Sequence, residues 1–147
     1  MNRDRGKYRG KRKNNGEMVY GYYIHTDFAD YIVPSKYVVN WKVFIEVIPE
    51  TVGQSTGLKD KNGVEIYEGD VVKQERGDSF PKYNTGEVVY DENRTCYLLR
   101  YFKKIPKKSF LRKIMNDIIT DTTGTYMYSK ITGWPFEVIG NIHEEKL

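Results

Sequence analysis

The sequence lacks the disulfide-forming cysteines, long apolar segments and signal segments that are typical of secreted and membrane proteins. Its 147 residues include one cysteine, Cys96, and two histidines, His25 and His143. A single cysteine excludes an internal disulfide framework and is typical of a reducing cytoplasm. No apolar stretch approaches the roughly 20 residues that span a bilayer, and the polar, basic N-terminus lacks a secretory character. We therefore expect a cytoplasmic protein with no membrane partner.

Motifs for catalysis and cofactor binding are equally scarce. The sequence contains no glycine-rich phosphate loop and no nucleophile elbow. The carboxylates Glu65, Glu68 and Asp70 are the strongest catalytic alternative, since such a group suits acid–base work or a magnesium ion, most plausibly for chemistry on nucleic acid. On a hairpin, however, Glu65 and Glu68 point to opposite faces. We predict a non-enzymatic protein with no catalytic residues, no cofactor and no small-molecule substrate.

The residues that could bind a metal ion do not have the spacing of a calcium loop or a zinc site. Asp60, Asn62 and Gly63 fit three positions of a calcium loop, but Leu58 and Gly69 stand where two essential oxygen ligands belong. The two histidines lie far apart and have no further Cys or His at the spacing of a zinc site. The sequence therefore predicts no metal site.

Positive charge is concentrated in two segments of the chain, whose net charge is +4. Residues 1–13 contain seven basic residues and one acidic residue, and the run from Arg100 to Lys113 contains no acid. Local charge of this kind attracts a polyanion, although a basic run often only solvates a strand face. The residues that would contact nucleic acid are Arg3, Arg5, Lys7, Tyr8, Arg9 and Lys11 in the first segment, and Lys103, Lys104, Lys107 and Lys108 in the second. In this interpretation the ring of Tyr8 stacks on a base.

Composition and patterning favour strands. Tyrosine occurs 13 times, and its flat ring packs well on a pleated surface. Basic residues at every second position from Arg3 to Lys11 share one strand face, with Tyr8 on the other, and the turn after Lys13 predicts a first hairpin. Asn62-Gly63 predicts a second hairpin with a two-residue loop. The apolar pattern from Ser109 to Thr120 predicts one helix.

These elements predict a mainly β protein, with α+β as the alternative. We expect a β-rich N-terminal lobe over residues 1–50 and a small SH3-like β-barrel over residues 51–147 that carries a helix near 109–120. A second interpretation is a structural protein that assembles with copies of itself. In that case the aromatic run Tyr37–Ile48 supplies a strand edge for pairing.

Three segments together resemble the YopX proteins of phages and prophages. They are GQSTGLKDKNGVEIYEGDVV from Gly53, GEVVYDENRTCYLL from Gly86 and FEVIGNIHEEKL from Phe136. The stretch KYRGKRKNNGEMVY from Lys7 is similar to the family's opening hairpin, but Lys11-Arg12 replaces its usual aromatic–acidic pair. The resemblance implies a small β protein encoded by a phage or prophage, and it carries over no catalytic residue.

Overall fold

The structure is a computed structural model that describes residues 6–35, 43–74, 85–101, 128–130 and 136–144. These residues form antiparallel strands joined by turns and short 3-10 segments, so the predicted mainly β fold is confirmed. The helix predicted near 109–120 lies outside the described residues. No helix in the described ranges has the length and apolar character needed to cross a membrane.

The chain divides into two compact units, Met1–Gly57 and Leu58–Leu147. The sequence placed this boundary near residue 50, whereas the structural division falls within a strand that runs from Gly53 to Lys59. Each unit has its own buried apolar cluster. A separate core for each unit is what lets a chain of this length form two lobes.

The first unit contains an antiparallel sheet with the strand order β4-β3-β2-β1-β5. The hairpin of β1 and β2 was predicted from the sequence, and Gly16 in its turn has a φ of 72°. A positive φ of this size is costly for other residues, which explains the glycine. The strands are β1 Tyr8–Lys11, β2 Met18–His25, β3 Asp30–Val33, β4 Ile45–Val47 and β5 Gly53–Lys59.

This sheet curls until its fourth strand meets the end of its first. Arg12 forms an antiparallel bridge with Val47, and the Ile48 N–H donates to the Lys11 carbonyl at 2.9 Å. The concave side, called here the inner face, carries the buried cluster Val19, Ile32 and Val47. The opposite side is called the outer face. Besides its pairing with β3, β4 is therefore hydrogen-bonded to the end of β1 at this bridge.

The second unit contains an open antiparallel sheet among the described strands, with the order β10-β9-β8-β7-β11. The sequence predicted a small barrel here, but β10 and β11 each have one described neighbour. The buried cluster lies around Phe136, Leu99 and Val72. The strands of this unit are β6 Glu65–Tyr67, β7 Asp70–Gln74, β8 Thr85–Asp91, β9 Cys96–Tyr101, β10 Tyr128–Lys130 and β11 Phe136–Asn141.

The hairpin at Asn62-Gly63 is present, but its loop is one residue longer than predicted. The Asp60 N–H donates to the Val64 carbonyl at 2.8 Å, so three residues lie between the paired positions. Gly63 has a φ of 81° and its N–H donates to the Asp60 carbonyl. A type I turn followed by a left-handed glycine has this geometry, and Asn-Gly suits it as well as it suits the two-residue loop.

Candidate nucleic-acid interface

Exposed tyrosines lie on the outer face of the first unit's sheet. Along β2, Tyr20 and Tyr22 alternate with the buried Val19 and Gly21. Their side chains point away from the core because neighbouring residues of a strand face opposite sides. Tyr20 remains 50% exposed and Tyr22 42% exposed. Large aromatic rings at this exposure on a rigid strand form a surface that a partner can contact.

Basic residues of the neighbouring strand belong to the same face. The register places Arg9 opposite Tyr20 and Lys11 opposite Met18. Side chains at paired positions of an antiparallel ladder share a face. Lys7, which directly precedes β1, is on this face by the same alternation. Lys7 and Lys11 are both half-buried, so their stems lie along the sheet.

Two members of the predicted contact set are placed differently from Lys7 and Lys11. Tyr8 lies on the inner face, packs against the core cluster, and has its ring centroid 5.3 Å from that of Tyr23. Its ring is therefore on the side of the sheet opposite Tyr20 and Tyr22. Arg9 is only 5% exposed, although it belongs to the outer face.

Much of the predicted basic surface falls outside the described residues. Arg3, Arg5, Lys103, Lys104, Lys107 and Lys108 all belong to that part of the chain. From the second basic run, Arg100 is described, and its guanidinium lies 2.5 Å from the carboxylate of Glu87. Glu87 and Arg100 are directly opposite each other on β8 and β9. Much of the charge of Arg100 is therefore balanced within the sheet.

Sequence reasoning missed the aromatic residues of the outer face. Besides Tyr20 and Tyr22, Phe44 remains 44% exposed and contacts Tyr31 edge to face, with ring centroids 5.9 Å apart. A signal was present in the alternation of β2, where every second residue from Met18 belongs to one face. This alternation did not identify the exposed face, because tyrosines occur on both faces of that strand, at positions 20 and 22 on one side and 23 on the other.

The Asp60 carboxylate closes the hairpin turn. Its Oδ1 accepts the N–H groups of Asn62 and Val64 at 2.8 and 2.9 Å, and its Oδ2 accepts the Val138 N–H at 3.0 Å. Burial alone raises the pKa of Asp60, but these three donors and the nearby Lys61 charge bring it below its usual value. The carboxylate is thus held ionised by backbone groups and serves the turn.

The acidic group that suggested catalysis is also used within the fold. Asp70 is buried and its Oδ2 accepts the Tyr67 N–H at 2.7 Å, while Glu65 accepts the Tyr67 hydroxyl at 3.1 Å. Glu68 lies in the bend between β6 and β7. Across the described ranges, no three His, Cys, Asp or Glu side chains gather closely enough to hold a metal ion.

An aspartate–histidine pair at the β2–β3 turn was not predicted. His25 Nδ1 lies 2.6 Å from Asp30 Oδ1, and the two residues are directly paired across the strands. The hydrogen bond with His25 keeps the pKa of Asp30 below its usual value, burial opposes it, and a bond with Tyr23 assists it. The pair resembles an oriented general base, but it lies on an exposed hairpin. Its geometry is explained by pairing across the turn.

A match to a known protein family covers nearly the whole chain. A family model with the description YopX protein matches residues 7–146. The match includes every described residue except Gly6, so the outer face and the Asp60 turn both fall within it. No curated protein matches the sequence.

Proposed function

The chain belongs to the YopX family, and we propose that it is a non-enzymatic protein that binds single-stranded nucleic acid on the outer face of its first sheet. The observation that carries this proposal is the pair of half-exposed rings, Tyr20 and Tyr22, on a strand next to a basic one. Aromatic rings beside a positive groove are the usual components of binding that does not depend on base sequence.

The spacing of the rings supports contact with separate bases. Side chains two residues apart on a strand are about 7 Å apart along it. Tyr20 and Tyr22 can therefore each stack on its own base, provided that the bases are not stacked on one another. A duplex hides the faces of its bases, so this surface favours an unpaired strand.

Positive charge next to the rings supplies the phosphate contacts. Lys7 and Lys11 belong to the outer face, and Arg3 and Arg5 precede them in the chain. Arg9 is too buried to reach a phosphate. The proposed contact set is thus narrower than the basic segment as a whole, with the tyrosines of β2 replacing Tyr8 as the stacking residues.

The remaining acidic residues support a binding role over a catalytic one. The carboxylates of Asp60 and Asp70 accept backbone N–H groups, which leaves them poorly placed to bind magnesium or move a proton. Cys96 is a half-buried thiol at the start of β9.

We also propose, from the resemblance to phage and prophage proteins, that the protein acts in the cytoplasm of a bacterial host.

Replacing both Tyr20 and Tyr22 with alanine should weaken binding to a single strand by at least about tenfold, because each stacked base contributes about 1–3 kcal/mol. The measurement is fluorescence anisotropy of the full chain with a labelled single-stranded DNA 12-mer at low salt. The unmodified protein should bind the matching duplex more weakly. Its affinity for the single strand should fall as salt rises from about 50 to 200 mM.

The matched control is Tyr90→Ala in the second unit. Tyr90 is 43% exposed, close to the value of Tyr22, and packs edge to face on Tyr97. This variant should bind like the unmodified protein. Absence of binding at low salt, or equal weakening by Tyr90→Ala, would contradict the proposed surface.

A second candidate function is contact with another protein through an exposed aromatic side chain of the first unit. Phe28, at the β2–β3 turn, is 95% exposed, and such a ring on a tight turn is typical of an anchor for a partner. Binding of this kind depends weakly on salt and does not require nucleic acid. Concentration-dependent light scattering that Phe28→Ala abolishes would support self-association, whereas a monomer at all concentrations would speak against it.

A further inference from the structure

A pocket of about 320 Å³ opens where β1 ends and β4 begins. This volume is at the lower end of the range of about 300–1,000 Å³ that is typical of small-molecule sites. The pocket lies within the first unit and is built on two hydrogen-bonded strands. Its walls are formed by Arg12, Lys13, Asn14, Phe44, Ile45 and Glu46.

The pocket has an excess of positive charge. Lys13 Nζ lies 2.5 Å from Glu46 Oε1, and this hydrogen bond and charge raise the pKa of Lys13, so the two residues form an ion pair. Among the described residues, none pairs with the Arg12 guanidinium. One unbalanced positive charge therefore remains. A guanidinium presents a planar fork of donors that suits phosphate oxygens.

The pocket also has an aromatic lining residue, Phe44. Phe44 is fixed by its edge-to-face contact with Tyr31, yet it keeps almost half of its surface exposed. A ring fixed in this way can stack on a nucleic-acid base with little further loss of side-chain freedom. A cation and an aromatic ring in one small pocket suit a ligand that is planar at one end and anionic at the other.

Phe44, which lines the pocket, belongs to the aromatic outer face. Ile45 is paired with Ile32 and Tyr22 with Val33, so Phe44 follows Val33 and Tyr22 across the sheet. Strands in a sheet are about 4.8 Å apart, which puts Phe44 and Tyr22 about 10 Å from each other. A strand stacked on Tyr20 and Tyr22 can therefore reach this pocket with a nucleotide at its end.

We propose that the pocket holds the terminal nucleotide of a bound single strand, with its base on Phe44 and a terminal phosphate monoester on Arg12. A monoester carries between one and two negative charges at neutral pH, whereas an internal phosphodiester carries one. The protein then prefers strands with a phosphorylated end. This inference rests on the proposed function. It adds recognition of the strand end to a surface that otherwise binds a strand independently of its base sequence.

The test compares three forms of one single-stranded DNA 12-mer: with a 5′-phosphate, with a 3′-phosphate and with hydroxyls at both ends. Fluorescence anisotropy with the full chain should show about tenfold tighter binding of one phosphorylated form, the gain expected of a charge-assisted hydrogen bond. The mononucleotide with its phosphate at the matching position, adenosine 5′-monophosphate or adenosine 3′-monophosphate, should displace that form, and adenosine should not. Equal affinities for the three forms would overturn the inference and leave the proposed surface intact.

Two substitutions with opposite effects identify the pocket. Arg12→Gln should abolish the preference for a phosphorylated end while keeping the affinity for the hydroxyl form. Glu46→Gln should increase the preference, because it releases the Lys13 ammonium for the phosphate. Lys59→Gln, at an exposed position in the second unit, is the control and should change neither affinity.

These variants distinguish a failure of the strand-end proposal from a failure of the proposed single-strand binding. Tyr20→Ala with Tyr22→Ala should weaken all three forms alike, whereas Arg12→Gln should affect one form only. If Arg12→Gln weakens all three forms alike, its charge acts generally and the strand-end assignment is wrong. If no form binds at low salt, the proposed function itself fails.

Discussion

Replacing Asp60 with asparagine should lower the free energy of unfolding by about 3 kcal/mol, since bonds to a buried charge are among the strong ones. Both oxygens of the carboxylate accept backbone N–H groups: Oδ1 those of Asn62 and Val64, and Oδ2 that of Val138. Asparagine has one acceptor oxygen, so its amide nitrogen must face a donor on one side. The measurement is urea-induced unfolding at pH 7 followed by circular dichroism.

The pH dependence gives this prediction a second readout. The pKa of Asp60 is lower in the folded state, so its ionised form stabilises the fold above the unfolded pKa of about 3.9. That contribution is lost as the pH falls through the folded pKa. The difference between the unmodified protein and Asp60→Asn should therefore shrink below pH 4.

The control for this substitution is Asp27→Asn. Asp27 is exposed in the β2–β3 turn, so its replacement should change the free energy of unfolding by less than about 0.5 kcal/mol. If Asp27→Asn lowers the free energy of unfolding as much as Asp60→Asn does, the loss of a negative charge, and not the loss of the bonds to the turn, causes the destabilisation.

Replacing Gly21 with alanine should destabilise the protein by about 3 kcal/mol or more, the upper range for an overpacked site. A Cβ at Gly21 would lie 2.1 Å from the Val33 carbonyl oxygen and 2.8 Å from the Pro34 Cα. Both are backbone atoms, so relief requires β3 to move away from β2. The measurement is thermal unfolding, with the yield of folded protein as a second readout.

Two other glycines form a graded control series. At Gly6 an added Cβ meets nothing within 4 Å, and Gly6→Ala should be neutral. At Gly10 it meets the side chains of Ile32, Val47 and Val52 at 3.3 Å, which can adjust, so Gly10→Ala should have an intermediate effect. Equal stability of the Gly10 and Gly21 variants would contradict the close approach of the Val33 backbone.

Local patterns predicted the strands and hairpins well. The turn after Lys13 and the turn at Asn62-Gly63 are short-range signals, because glycine, asparagine and aspartate adopt turn conformations themselves. The alternation from Lys7 to Lys11 also grouped the side chains correctly into two faces. It did not show which face is buried, since Arg9 has a long apolar stem and the tyrosines suit either environment.

The candidate site was much less predictable than the strands. The pocket brings Arg12 next to Phe44, which are 32 positions apart, and the Asp60 carboxylate meets Val138 across 78 positions. Such contacts arise from the curl of a sheet and from the order of its strands. Neither can be derived from a run of neighbouring residues, so the sequence predicted charge clusters but not the surface that Tyr20 and Tyr22 form.

The bond between Asp60 and Val138 has a consequence for synthesis on the ribosome. The first 57 residues contain all the strands of the first unit's core, so that unit can fold while the rest of the chain is still being made. The bond from the Val138 N–H to Asp60 Oδ2 must wait until β11, near the C-terminus, has emerged. During that interval Asp60 Oδ2 lacks its Val138 donor and β7 lacks its β11 neighbour, so the second unit is completed only at the end of synthesis.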